Sequence, residues 1–438
     1  MKKTLRHAAG LAIVCLVLLC AGTVRAEGAD APVDYAGAVR LDMASETVKQ
    51  EVSVYAFVDG DTTHFNVPSS VAASGVLKAR YLAINTPETT NKVEAYGKKA
   101  AEFTREKLSA ATSIIIESDD GQWNPDSTGG RYLVWVWYRT EETQDYRNLN
   151  VEILQNGLAI ANSAANNRYG DVCTAAIAQA RAQELNLYSD EPDPDFYYGD
   201  AIELTLKELR CNPDAYEGKK VAFEGVITMN DSNTVYVEDY DPETGLYYGV
   251  GVYYGYSLNG QGLNILKVGN RSRIVGTFQY YALGDAYQVA GLTYRMMQPD
   301  DPENLQKISD GHAPAYVLTD PDTFVNGRVE VALDGQTQTF DYAALAQATS
   351  LEMRNLQVRE AYRQEDVGSS GHGSLTLLCE ADGVPVQVRV NPLYDAQHAL
   401  VSEEAFLGRT IDVRGIADAH QGTYQIRVFT AGGITIHP

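Results

Sequence analysis

Val58-Asp59-Gly60-Asp61-Thr62, then Arg80-Tyr-Leu-Ala-Ile-Asn85-Thr86-Pro87-Glu88-Thr89, then Asp126-Ser-Thr-Gly-Gly-Arg131-Tyr132: the reading of these three stretches decides the fold. Asp-Gly between apolar runs is an ordinary hairpin signal, and Thr-Pro-Glu alone is a turn or a helix start. Taken together they place carboxylates at the end of one strand and Arg80 on a neighbouring strand. An Asn-Thr-Pro-Glu turn follows that strand, and a second arginine sits behind a Gly-Gly loop. Hard oxygen donors, one carboxylate base and two guanidiniums are what metal-assisted hydrolysis of a phosphodiester needs. The cations hold charge on the phosphoryl oxygens while the carboxylate takes a proton from water.

Working outward, Val52–Val58 and Val76–Ile84 alternate or run apolar, and Ser113–Glu117 and Tyr132–Tyr138 are β-branched and aromatic, so all four read as strands. Glu94–Ala111 reads as a helix with Ala101, Phe103, Leu108 and Ala111 on one side and Lys98, Lys99, Arg105 and Lys107 outside. Asn148 is a candidate cap for a helix through Leu158, and Asp171 for one through Leu185. Strands first and helices after predict an α+β domain. Trp135 and Trp137, alternating in their strand, read as packing.

This order of motifs resembles the staphylococcal-nuclease (thermonuclease) family. The shared elements are Asp-Gly-Asp-Thr, the Arg80 to Thr89 stretch, Tyr-Gly-Lys-x-Ala-x-x-Phe-Thr (Tyr96–Thr104), Gly-Arg, Gly-Leu-Ala (Gly157–Ala159) and Leu-Asn-Leu-Tyr-Ser (Leu185–Ser189). The likeness runs from about Val52 to Ser189 and implies an OB-like five-stranded barrel with three helices. It also implies roles. Asp61 would bind Ca2+ directly, Asn85 would occupy the second ligand position and Thr86 would offer its backbone carbonyl. Glu88 would be the general base, and Arg80 and Arg131 would hold the phosphate and its transition state, a task for which bidentate guanidinium suits better than ammonium. Asp59 would orient ligands or bound water. The implied reaction is endonucleolytic cleavage of DNA or RNA at the 5′ P–O bond, leaving 3′-phosphates.

Three departures from the family pattern stand out. Asn85 replaces the usual Asp, which removes a charge from the metal site. The loop before Arg131 carries an extra residue. No aromatic follows Gly-Leu-Ala where the family stacks tyrosines on a base, which leaves Tyr132 and Tyr169 as the candidate stacking residues. Lys98 and Lys99 are candidates to steer nucleic acid, although such a run is also what a solvated helix face looks like.

The rest of the chain frames this domain. Met1–Arg6 is cationic, Leu11–Cys20 apolar, and Val24-Arg25-Ala26 a small-x-small site, so residues 1–26 read as a signal peptide and the protein as secreted, or held at the cell surface. Membrane attachment is expected only if the leader stays uncleaved or Cys20 is lipidated. The 438 residues carry a net charge of −23. Removal of the leader's four cations takes that to about −27, which excludes nucleic-acid binding by bulk charge and requires a local site. Cys173, Cys211 and Cys379 are widely spaced with no C-x-x-C, and read as buried small hydrophobes. No histidine shows paired metal-ligand spacing.

Acidic, Pro-rich breaks at Ser189–Asp195 and Pro299–Pro302 divide the chain into 48–189, 200–298 and 314–438. The last two share a pattern. Val268-Gly-Asn-Arg-Ser-Arg-Ile-Val-Gly276 parallels Leu407-Gly-Arg-Thr-Ile-Asp-Val-Arg-Gly415, and each is followed by a Tyr-Gln-apolar strand. Short strands with regular glycines predict two small OB-like β-barrels, so the chain as a whole is expected to be mainly β. Two functions are in view. One is a secreted Ca2+-dependent endonuclease with accessory barrels and no stable protein partner. The other is a non-catalytic nuclease-like protein that holds a ligand at the cell surface.

Overall fold

A computed structural model of the chain describes residues 31–89, 92–162, 166–255, 258, 260–281, 284–298, 301–333, 335–365, 371–395, 397–420 and 422–437. The expected leader, with Cys20, lies outside the described residues. Among those residues no helix is long and apolar enough to cross a membrane.

The first sheet is a closed ring of five strands: β1 (Lys49–Phe57), β2 (Thr62–Asn66), β3 (Val76–Tyr81), β4 (Ser113–Glu117) and β5 (Tyr132–Arg139). Its pairs β1–β2, β2–β3, β1–β4 and β4–β5 are antiparallel, and a parallel β3–β5 pair closes it. The alternation in sequence sets which face turns inward. Leu77, Ala79 and Tyr81 of β3 are buried, whereas Val76, Lys78 and Arg80 are not. The core contains Phe65, Leu77, Ile116, Val134 and Trp135.

Among the described residues, three helices of seven residues or more cover the ring. α1 (Gly97–Ser109) starts later than the apolar spacing predicts, because Tyr96 is left-handed at φ 65° and breaks the run from Glu94. α2 (Leu149–Gln155) is capped by Asn148, whose side chain accepts from the Val151 amide at 3.0 Å. It ends before Leu158 because Gly157, at φ 66°, turns the chain against the Leu185 carbonyl, where a Cβ has no room. α3 (Gly170–Ala182) begins after Tyr169 without a side-chain cap. Asp171 is therefore not the cap; it lies in the first turn, where its charge still favours the helix dipole.

Two further closed rings follow. The first has β6 (Lys220–Asp231), β7 (Thr234–Asp241), β8 (Leu246–Tyr253), β9 (Arg271–Tyr281) and β10 (Ala286–Ala290). The second has β11 (Ser350–Arg363), β12 (Leu375–Ala381), β13 (Val384–Val390), β14 (Thr410–His420) and β15 (Thr423–Val428). All three rings have one circular strand order, first-second-third-fifth-fourth, with the third and fifth strands parallel. That is the mainly β, OB-like architecture expected. The paired glycines have the same two tasks in both later rings. Gly269 and Gly408 take left-handed turns at φ 88° and 75°. Gly276 and Gly415 lie so close to the next strand that a Cβ would strike the carbonyl of Ala290 or Arg427.

The two later rings are bonded to each other. The buried Glu238 carboxylate on β7 accepts from the Ala315 amide at 2.9 Å, the Ser350 amide at 2.7 Å and the Ser350 hydroxyl at 2.9 Å. Arg427 pairs with Asp231 at 2.7 Å. Cys173, Cys211 and Cys379 are free and buried, and burial pushes their thiols up to about 12, 11 and 12. They pack as small hydrophobes, as expected.

Candidate active site

The turn between β1 and β2 carries the first carboxylates. Gly60 is obligatory there: a Cβ would lie 2.8 Å from the Thr86 methyl and 2.9 Å from the Ala100 Cβ. The Gly60 carbonyl accepts from Thr104 of α1 at 2.6 Å. The turn is thus wedged between the Thr86 segment and α1, and it places Asp61 at 0% exposure.

Asp61 is the centre of a network. Its Oδ2 accepts from the Thr86 amide at 2.8 Å, and its Oδ1 accepts from the Thr62 hydroxyl at 3.1 Å and from Arg80 Nη1. Arg80, opposite Thr62 in the β2–β3 register, sends Nη2 to Asn85 Oδ1 at 2.5 Å. Asn85 is paired in turn with Ile160, which ties the Asn-Thr-Pro-Glu turn to the Gly-Leu-Ala segment. Asp61, Arg80, Asn85 and Thr86 therefore meet.

Asp59 and Glu88 complete an anionic cluster. Asp59 accepts from the Asp61 amide at 3.1 Å and is buried. Burial, then the charges of Asp61 and Glu88, push its carboxyl up to about 8. Glu88 is half-buried. Burial and the Asp61 charge hold its carboxyl above the usual range, with Arg80 and Arg131 pulling the other way. Its loop is closed by Glu94, whose amide donates to the Glu88 carbonyl at 2.9 Å.

Arg131 stands at the start of β5. Its loop turns through Gly129 at φ 72°, and Asp126 and Arg131 are joined across the turn by a backbone bond of 2.8 Å. Asp126, to which sequence reasoning assigned no role, holds the guanidinium. Burial opposes ionisation of Asp126, but hydrogen bonds from Thr128 and Arg131 outweigh it and keep the carboxyl below its ordinary value. Its signal in the sequence was its place, five residues before Arg131 with Thr128 between.

The remaining candidates make contacts of other kinds. Tyr132 packs against the barrel core. The Tyr169 ring is edge-on to Trp135 and Trp137, and its hydroxyl donates to Glu117 at 3.0 Å. Lys98 and Lys99 are exposed on α1, the first 4.0 Å from Glu102 and the second 6.0 Å over the Tyr96 ring.

Among the described residues no group of three or more His, Cys, Asp or Glu side chains is arranged to hold a metal. The donor set expected here is of another kind: one carboxylate, one amide oxygen and one backbone carbonyl. Its chemistry fits a hard cation. All donors are oxygens, and burial together with the Asp61 charge raises the cost of ionising Asp59 and Glu88, which a divalent ion offsets.

The sequence model of one family, staphylococcal nuclease homologue, matches residues 78–190, about a quarter of the chain. The match includes Arg80, Asn85, Thr86, Glu88 and Arg131 and starts after Asp59 and Asp61. A search of curated proteins finds none that matches the chain. The chain carries a staphylococcal-nuclease-like domain, of a family that acts on nucleic acid.

Proposed function

We propose that this domain is a Ca2+-dependent endonuclease, exported from the cell, that hydrolyses phosphodiester bonds of DNA, RNA or both at the 5′ P–O bond and leaves 3′-phosphates. The observation that carries the reading is the single network of Asp61, Arg80, Asn85 and Thr86, with Glu88 in the electrostatic field of Asp61 and both arginines.

Asp61, Asn85 Oδ1 and the Thr86 carbonyl would hold Ca2+, which when bound supplies positive charge to a phosphoryl oxygen. Glu88 takes the proton of the attacking water at its carboxylate. Its raised pKa makes it a stronger base than an exposed glutamate. Arg80 and Arg131 donate to the non-bridging oxygens as charge builds in the five-coordinate transition state. Asp59 holds the Asp61 amide and so fixes the turn that presents the Asp61 carboxylate. We read residues 200–298 and 314–438 as accessory domains to this one.

A second reading has an observation of its own. Arg80 already spans the Asp61 and Asn85 oxygens, so an internal cation neutralises the pocket, as expected of a non-catalytic nuclease-like protein. One experiment separates the two. The mature chain is incubated with denatured DNA and with RNA, in Ca2+ and in chelator, beside Glu88→Gln and Arg131→Ala. Ca2+-dependent cutting that falls steeply in both variants supports the nuclease; no cutting by folded protein at any Ca2+ concentration supports the other reading.

A further inference from the structure

His64, Lys78 and Arg131 form a row across three strands. His64 on β2 is paired directly with Lys78 on β3. β3 runs parallel to β5 with Ala79 opposite Tyr132, so Lys78 and Arg131 each stand one residue before that pair and the row continues onto Arg131. Lys78 is exposed and His64 half-buried, on the side of the ring away from buried Leu77, Ala79 and Phe65. Neighbouring strands are about 4.8 Å apart, and Arg80 is the next outward residue of β3, about 6.6 Å from Lys78 along the strand. Four basic side chains thus share one small patch that begins at the candidate active site.

The patch has no internal counter-ion beyond those already described for Arg80 and Arg131. Among the described residues the side chains of His64 and Lys78 make no hydrogen bond and no ion pair. Burial, and after it the charges of Lys78 and Arg131, both cations, push His64 down to about 4. Cations set side by side across strands cost stability, and here they do so in a chain of net charge −23 with many carboxylates to spare. A bound anion removes that cost.

We infer that Lys78 and His64 form a phosphate subsite that extends the Arg80–Arg131 site by one phosphodiester along a bound single strand. Lys78 serves as a point charge and neutral His64 as an N–H donor. The identity of the polyanion rests on the nuclease reading; the geometry of the subsite does not.

The test uses the mature Glu88→Gln protein with a fluorescein-labelled single-stranded DNA, followed by anisotropy over a range of salt. Lys78→Ala is expected to weaken binding about five- to tenfold and to lower the salt slope by about 0.7, with Lys78→Arg retaining both. His64→Ala should weaken binding less and add to the Lys78 effect. Lys267→Ala, an exposed lysine in the connection between β8 and β9, controls for overall charge and should change neither. Unchanged affinity and slope in the Lys78→Ala, His64→Ala double variant overturn the subsite, as does failure of the parent to bind the strand. A parent that binds through Lys78 while the Glu88 protein never cuts supports the subsite and sinks the nuclease reading instead, so the two failures are told apart.

Discussion

Arg131 is held by Asp126 at one oxygen: its Nε donates to Asp126 Oδ2 at 2.7 Å and its Nη2 lies 2.7 Å from the same atom as an ion pair. The pair leaves Nη1 free for a phosphoryl oxygen and fixes the plane of the guanidinium before substrate arrives. Pre-set donors of this kind matter most in the transition state. Asp126→Ala should therefore lower kcat about tenfold with a smaller change in KM, and Asp126→Asn should fall between. Steady-state cleavage of a short oligonucleotide checks this; equal kcat in Asp126→Ala and the parent would mean that Arg131 needs no orienting.

The pH dependence of cutting follows from the Glu88 environment. A carboxyl held above its ordinary value is a competent base only above that raised pKa, so the rate should climb with pH along the acid limb. Arg131 is among the charges that lower the Glu88 pKa. Its removal must raise it, so the acid limb of Arg131→Ala should lie at higher pH than that of the parent. Glu88→Gln should lose about 10²- to 10⁴-fold in kcat and lose the limb altogether. A limb that stays in place in Arg131→Ala would show that another group titrates there.

Much of this was legible in the sequence, for a local reason. Ser113–Glu117 reads as a strand because three isoleucines sit in a row, and it forms one with those ends. The glycines seven apart predict kinked strands, and they recur at equivalent points of two rings of like strand order. What was hidden depends on partners far away. The left-handed Tyr96 that delays α1 has no local signal. Its amide is bound by Asp193, ninety-seven residues on, within a stretch that composition marks only as an acidic break. Tyr169 is aromatic and close to the right place in sequence, but two tryptophans claim its ring.

Asn85 is the residue whose change most directly tests the cation. Asn85→Asp adds a full charge to a set that now has one carboxylate, and should tighten Ca2+ binding about tenfold. The same charge deepens repulsion with Asp59, Asp61 and Glu88, so without Ca2+ the variant should melt below the parent. Titration calorimetry with Ca2+ and thermal unfolding in chelator read the two effects separately. Unaltered Ca2+ affinity would remove Asn85 from the ligand set.

Asp193 should matter to the site although it lies outside the matched segment. It is 3% exposed. One of its oxygens accepts from the Tyr96 amide at 2.5 Å and the other from the Asp195 amide at 3.0 Å. The Tyr96 hydroxyl donates to the Glu191 carbonyl at 2.9 Å, so the acidic stretch is strapped to Tyr96 at two points. The next residue, Gly97, is so close to Glu88 that a Cβ would lie 2.6 Å from its carbonyl oxygen. The strap thus fixes the end of the loop that carries the base. Asp193→Ala leaves a buried amide unpaired, at a cost of about 1–3 kcal/mol, and frees that loop. The variant should melt lower and show reduced kcat with nearly unchanged KM, whereas Asp193→Asn, which keeps an acceptor oxygen, should recover most of both. If Asp193→Ala melts lower but cuts at the parental rate, the strap stabilises the domain without positioning Glu88.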